Sequence, residues 1–182
     1  MSEIHPSEPI SSPLVDQPDF AVPAALQAEM DELITHYPIK RSASLMLLHA
    51  VQEHFGYLSR QAVEWVAGKL GLQPINVYEL VTFYPMFHAK PVGRYHLKVC
   101  RTLSCALGGS YELHEHFCRK LGLDSHAHGP QTTKDGKFTV RTVACFGQCA
   151  LAPVVEVNHR ICGHVNERTL QREVRALERE SE

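Results

Sequence analysis

Two pairs of cysteines are the residues of this chain whose type and spacing are best suited to chemistry. Cys100 and Cys105 have four residues between them, Cys145 and Cys149 have three, and 39 residues separate the two pairs. Thiolates are strong ligands for zinc and for iron. Six cysteines in a chain without a recognisable secretory signal are better explained by metal or redox chemistry than by a disulfide framework. The pairs therefore predict a metal or cluster site.

Each cysteine pair follows a segment with strand character. Residues 95–99 alternate in polarity and run into Cys100, and residues 138–143 precede Cys145. Loops anchored at strand ends hold side chains rigidly, and a cluster of two irons needs two thiolates at each end. Two pairs that converge would meet the needs of a 2Fe-2S cluster.

A cluster bound by four thiolates is an anion, and burying it requires compensation. The backbone N–H groups of residues 101–104 and 146–148 are expected to donate hydrogen bonds to sulfur. Gly147 allows the backbone to approach closely, because it has no side chain. The backbone of the two cysteine loops is thus predicted to supply the hydrogen-bond donors to the ligand sulfurs.

The elements predicted after residue 89 describe a small α/β domain. They are a strand at 95–99, a helix at 110–121, a strand at 138–143, a hairpin of two strands (154–157 and 160–165) that turns at Asn158 and His159, and a helix from Asn166 to about residue 178. Cys118, on an apolar helical stripe, and Cys162, within a predicted strand, are expected to be core residues.

The preceding part of the chain has helical periodicity, interrupted at short intervals by turn residues. Four helices are predicted, at 23–36, 41–55, 60–70 and 76–83. The first 20 residues carry four prolines among serines and acids, and this composition does not offset the entropy of ordering. The predicted organisation is a disordered tail (1–20), a helical bundle (21–88) and the α/β domain (89–182).

Two other uses of paired cysteines stay open. Structural zinc sites use pairs with two to four intervening residues, so a zinc-stabilised interaction module without redox activity is one alternative. A thioredoxin-like dithiol switch is another, although it would normally need a C-x-x-C motif, which this sequence lacks.

Charge and hydropathy limit the classes of partner. The net charge is −2, and residues 91–165 carry more basic than acidic side chains, which suits a solvated face, a negative cofactor or an acidic partner. The helical segment is instead more acidic than basic, which argues against phosphate contacts and nucleic-acid binding. No run of about 18 apolar residues occurs, so no direct membrane span is predicted.

Four segments of the sequence resemble the 24 kDa, or E, subunit family of NADH:quinone oxidoreductase, respiratory complex I. They are VTFYPMF at 81–87, PVGRYHLKVCRTLSC at 91–105, TTKDGKFTVRTVACFGQCALAPVVEVN at 132–158 and GHVNERTL at 163–170. The resemblance covers about residues 21–180, and the cysteine pairs are its most specific part.

The resemblance implies a thioredoxin-like ferredoxin domain after a helical bundle, with Cys100, Cys105, Cys145 and Cys149 as the ligands of one 2Fe-2S cluster. It also implies docking against the flavin-containing, NADH-oxidising subunit and other peripheral-arm subunits. FMN and NADH would be bound by that partner, and the cluster would exchange single electrons with the FMN. In this family the cluster is held to lie off the main chain of centres, which implies a storage or buffering role.

The residues agree with the role of an electron carrier without its own substrate site. No G-x-G-x-x-G motif follows a predicted strand. NADH delivers a hydride whereas a 2Fe-2S cluster accepts one electron, so a flavin elsewhere must split the electron pair. The homologous subunit of an NAD-linked hydrogenase or formate dehydrogenase is the nearest alternative.

Two further expectations concern the residues that contact a partner and the location of the protein in the cell. Phe83, Tyr84, Met86 and Phe87 are candidate anchors for a partner, or else pack the bundle itself. The lack of a basic presequence after Met1 favours a cytoplasmic location, peripheral to the inner membrane through the complex.

Overall fold

The structure is a computed structural model that describes residues 14–127 and 129–180, apart from the side chains of residues 173, 178 and 180. The chain divides into two compact units between Pro91 and Val92. Among the described residues, no helix combines the length and apolar character needed to cross a membrane.

The first unit is helical. Its elements are α1 (Ala24–Thr35), a 3-10 helix (Lys40–Ala43), α2 (Ser44–Phe55), α3 (Arg60–Leu70) and α4 (Pro74–Phe83). Local signals set several of these limits. Ser59 caps α3 by accepting a hydrogen bond from the Ala62 N–H at 3.1 Å, and Gly71 ends it with a φ of 69°. Pro74 starts α4, where its missing N–H is not needed.

These helices pack around one apolar core. Its fully buried side chains include Met30, Leu47, Leu48, Val51, Leu58, Val66 and Val77. The prediction of α3 agrees with the structure at both ends. The predicted start of α2 was wrong, because residues 40–43 form a 3-10 helix, and α4 begins two residues earlier than predicted.

Residues 14–20 are part of this unit, so the predicted disordered tail is too long at its C-terminal end. Leu14 is buried in the helical core, and the ring of Phe20 lies 4.8 Å from that of Phe55. These apolar contacts offset the entropy cost of ordering residues 14–20. The prediction from composition had assumed that no such contacts would form. Residues 1–13 lie outside the described part of the chain.

The second unit contains a five-stranded sheet. Its strands are β1 (Tyr95–Cys100), β2 (Gln131–Thr132), β3 (Phe138–Val143), β4 (Val155–Val157) and β5 (Arg160–Cys162), arranged β2-β3-β1-β4-β5. Its helices are α5 (Leu103–Leu107), α6 (Ser110–Leu121) and α7 (Glu167–Glu180). Strands β1 and β3 are parallel, and the other pairs are antiparallel. The predicted α/β class is confirmed.

One face of the sheet forms the core of this unit. Tyr95, Leu97 and Val99 alternate along β1 and pack with side chains of α6 and α7. Cys118 is fully buried there, and Cys162 is partly buried against the same core, as expected for both. The sequence missed α5 and β2, and it extended β5 by three residues beyond its observed end at Cys162.

Candidate functional site

The parallel pairing of β1 and β3 brings the two cysteine segments to one edge of the sheet. In the register of these strands Cys100 lies beside Val143, so both strands end at the same level. The N–H of Arg101 then donates to the carbonyl of Val143 at 2.9 Å, and the N–H of Cys100 donates to that of Val154 at 3.1 Å. Cysteines far apart in sequence are therefore close in space.

Cys100 and Cys105 form an inner pair, since both are buried. Cys100 ends β1 and Cys105 lies in α5, and their side chains share a hydrogen bond. Together with Val154 they make a small apolar cluster that is separate from the sheet core. Burial raises the pKa of the Cys105 thiol, and its neighbour Cys100 raises it further. Water is thus largely kept from this half of the site.

Cys145 and Cys149 form an outer pair, since both are exposed. Their sulfur atoms lie 3.6 Å apart. Gly147 adopts a φ of 74°, which glycine tolerates without strain, and its N–H donates to the Cys145 sulfur at 3.2 Å. This hydrogen bond is the main cause that lowers the pKa of the Cys145 thiol. The donor expected at this position is therefore present.

The two pairs meet in one site. The C-terminal end of α5 lies against the segment that follows Cys149, where a Cβ added at Gly108 would be 3.2 Å from Pro153 Cδ. The side chain of Thr102 also contacts Cys100 of the inner pair and Cys145 of the outer pair. The structure consequently brings all four predicted cysteines together.

Two hydroxyl groups of the inner loop also contact cysteine sulfurs and were not predicted from the sequence. Thr102 Oγ1 lies 3.2 Å from the Cys100 sulfur, and the Ser104 side chain is hydrogen-bonded to Cys149. Burial by itself would raise the pKa of Cys100, but hydrogen bonds from the side chain and backbone of Thr102 help to bring it below its ordinary value. Hydroxyl residues between the cysteines of the first pair were the available signal.

The donor set fits a 2Fe-2S cluster. Such a cluster takes two thiolates at each of its two irons, and the structure presents the thiols as two close pairs with N–H and O–H groups directed at sulfur. No group of three or more His, Cys, Asp or Glu side chains within residues 14–127 and 129–180 is arranged to hold one metal ion.

The candidate aromatic anchors differ in exposure. Phe87 is buried in the helical core, and Tyr84 and Met86 pack partly buried against it. Phe83 is 77% exposed. Of the four predicted anchors, the structure leaves only Phe83 largely exposed.

Comparison with known families decides the class of the site. A family model described as thioredoxin-like [2Fe-2S] ferredoxin matches residues 30–178. The chain belongs to this family. Its cofactor is one 2Fe-2S cluster, which confirms the prediction made from the cysteine pairs, and its thioredoxin-like character is confirmed too.

Proteins with a high similarity to this ferredoxin are subunits of NADH-quinone oxidoreductase. The E 2 subunit of Rhizobium meliloti (strain 1021) is 39% identical over 78% of this chain and 82% of the relative. The E subunit of Rickettsia conorii (strain ATCC VR-613 / Malish 7) is 43% identical over 70% and 76%. The protein named subunit 2 in Thermus thermophilus (strain ATCC 27634) is 38% identical over 71% and 70%. The resemblance to the E subunit family is confirmed.

A solved structure shares the fold. The crystal structure of an NAD+-reducing [NiFe]-hydrogenase in the air-oxidized state matches with a TM-score of 0.60 and 22% sequence identity over 74% of this ferredoxin. The match covers 23% of the hydrogenase chain, so this ferredoxin spans about a quarter of that chain's length. At this identity the likeness concerns the fold alone.

Proposed function

We propose that this chain holds its 2Fe-2S cluster with Cys100, Cys105, Cys145 and Cys149 and transfers single electrons within an NADH-quinone oxidoreductase. The observation that carries the proposal is the meeting of two cysteine pairs at the ends of two parallel strands. Relatives with 38–43% identity are subunits of that oxidoreductase. When bound, the cluster supplies the ability to accept and return one electron.

The protein residues around the cysteines hold and shield the site. Burial of Cys100 and Cys105 keeps water from the inner half, while the N–H of Gly147 offsets negative charge at the outer half. Since Cys145 and Cys149 are exposed, electrons enter and leave on the outer side.

The two segments that carry the cysteines include uncharged stretches with exposed apolar side chains. No charged residue occurs at positions 102–111 or 142–155. Leu103 and Leu107, one turn apart on α5, are 74% and 82% exposed. Exposed apolar side chains without neighbouring charges are typical of the centre of a protein interface. The redox partner docks here.

The partner is the flavin-containing, NADH-oxidising subunit, together with other peripheral-arm subunits. NADH gives up two electrons as a hydride, whereas a 2Fe-2S cluster takes one. FMN on the partner splits the pair and exchanges single electrons with the cluster. Through this complex the chain is held at the cytoplasmic side of the inner membrane.

Reconstitution with the flavoprotein tests the function. Anaerobically purified chain should contain about two irons and two sulfides and should not oxidise NADH by itself. Mixing it with the NADH-reduced flavoprotein should produce the electron paramagnetic resonance (EPR) signal of a reduced 2Fe-2S cluster. Stoichiometric zinc without sulfide, or NADH oxidation by the isolated chain, would contradict the proposal.

A pair of matched variants tests the docking surface. We expect Leu107→Asp to weaken binding to the flavoprotein at least about tenfold, because it places a charge in the uncharged surface, and a tenfold change in Kd corresponds to about 1.4 kcal/mol. Ile39→Asp makes the same change at an exposed position of the helical unit and serves as the control. Titration calorimetry should separate the two, and a weaker complex for Ile39→Asp alone would move the docking surface to the helical unit.

A further inference from the structure

The hydroxyl of Thr102 contacts one cysteine of each pair. Its Oγ1 lies 3.2 Å from the sulfur of Cys100, in the inner pair. The same side chain is hydrogen-bonded to Cys145, in the outer pair. Thr102 is thus positioned to act on ligands from both loops.

This hydroxyl is not used by the helix that Thr102 begins. Thr102 occupies the N-cap position of α5, where a threonine hydroxyl normally accepts a hydrogen bond from the first turn. No such side-chain bond forms, although the carbonyl of Thr102 accepts from the Ala106 N–H at 2.9 Å. The side chain is directed to sulfur instead, so replacing it should cost α5 little.

We propose that Thr102 is a positioning residue that raises the reduction potential of the site by donating its single hydroxyl proton in a hydrogen bond shared between the sulfurs of Cys100 and Cys145. This inference rests on the ligand set in the proposed function. Adding one electron increases the negative charge shared by the ligand sulfurs. A hydrogen-bond donor to sulfur stabilises the more negative, reduced state more strongly than the oxidised state.

Ser104 provides an internal comparison. Its side chain is hydrogen-bonded to Cys149. Cys149 is exposed to water, unlike the buried Cys100. Water competes with a donor at an exposed acceptor, so this hydrogen bond has a smaller effect. Thr102, which also reaches the buried Cys100, should have the larger one.

Redox titration of the full chain with dithionite and mediators tests this role, after iron and sulfide analysis shows that each variant is loaded. Thr102→Val should lower the equilibrium constant for one-electron reduction about three- to tenfold, which is about 30 to 60 mV at 59 mV per tenfold. Thr102→Ser keeps the donor and should stay within about twofold of the parent. Ser104→Ala should give a smaller decrease, and the EPR g values should change in Thr102→Val.

Thr82→Val is the matched control, because that hydroxyl donates to carbonyls within α4. An unchanged potential in loaded Thr102→Val, or an equal decrease in Thr102→Ser, would overturn the inference. If Thr102→Val does not load, Thr102→Ala takes its place, and an unchanged potential in loaded Thr102→Ala would overturn the inference. Loss of the cluster from the parent chain would instead refute the ligand set, so the two failures are distinguishable.

Discussion

The helical unit and the sheet unit differ in where they place reactive side chains. In the helical unit one continuous apolar core connects the helices, and its buried polar residues are Ser44 and Ser59 among those that the structure describes. In the sheet unit the main core lies on one face of the sheet, and Cys100 and Cys105 belong to a separate, smaller cluster at the strand ends. Cys100 and Cys105 are therefore held by the fold without being part of its main core.

This separation predicts that the site and the main cores respond to different substitutions. A change at the strand ends should remove the cluster and leave most of the packing intact. A change in either core should lower stability and leave the chemistry of a folded molecule unaltered. The following variants test this contrast.

The largest effect is expected for Cys105→Ser. Cys105 is buried in the inner pair, and its replacement removes a thiolate that the loops cannot supply from elsewhere. Iron content should fall from about two per chain to near zero, while far-ultraviolet circular dichroism stays close to that of the parent. Cys162→Ser, in the sheet core, is the control and should retain iron. Loss of iron in that control would show that the ligand set is incomplete.

A smaller effect, on stability alone, is expected for Leu48→Ala. Leu48 is fully buried in the helical core, and such a truncation costs about 2 to 5 kcal/mol of unfolding free energy. Urea denaturation followed by circular dichroism measures the loss. Met46→Ala, at an exposed neighbouring position, should change stability by about 0.5 kcal/mol or less. An altered EPR spectrum in folded Leu48→Ala would contradict the separation.

Much of the helical and sheet architecture follows from local sequence signals. The bounds of α3 agree with the prediction because Ser59 and Gly71 mark its ends, and those of α6 agree because its apolar stripe is regular. Helix α5 was missed because it has five residues, and its two leucines are exposed rather than periodic toward a core. Short elements of this kind depend on tertiary contacts.

The identity of the cysteines was visible in the sequence, whereas their environment was not. Spacing showed two pairs, but the burial of Cys100 and the exposure of Cys149 depend on how the following segments pack. The contact of Thr102 with two thiols likewise depends on the parallel register. The ligand assignment itself stays a prediction until the variants are measured.

The smallest effect concerns protonation of His96 on β1. Burial is the main cause that lowers its pKa from 6.5 to about 4, and the charges of Lys98, Arg141 and His159 lower it further. The unfolded chain binds a proton near pH 6.5 while the folded chain does not. Stability from His96 is therefore present above pH 6.5 and decreases as the pH falls toward 4. Because the side chain is partly exposed, solvent screening limits the loss to about 1 kcal/mol.

Nuclear magnetic resonance titration measures this shift. The ring signals of His96 should stay at their neutral positions from pH 8 to about 5. His96→Gln should lose the corresponding part of the pH dependence of unfolding, relative to the parent chain. A titration midpoint of the His96 ring near pH 6.5 would show that the sheet unit does not disfavour the charged form of the imidazole.

The register in which Cys100 lies beside Val143 also limits how the chain length can vary. Side chains alternate between the faces of a sheet, so deleting one residue within β3 would redirect every side chain that follows and separate Cys145 from Cys100. A deletion in the connection between α6 and β2 leaves the strand pairing unchanged. In alignments of relatives, gaps should therefore fall in that connection. The number of residues from the start of β3 to Cys145 should stay constant.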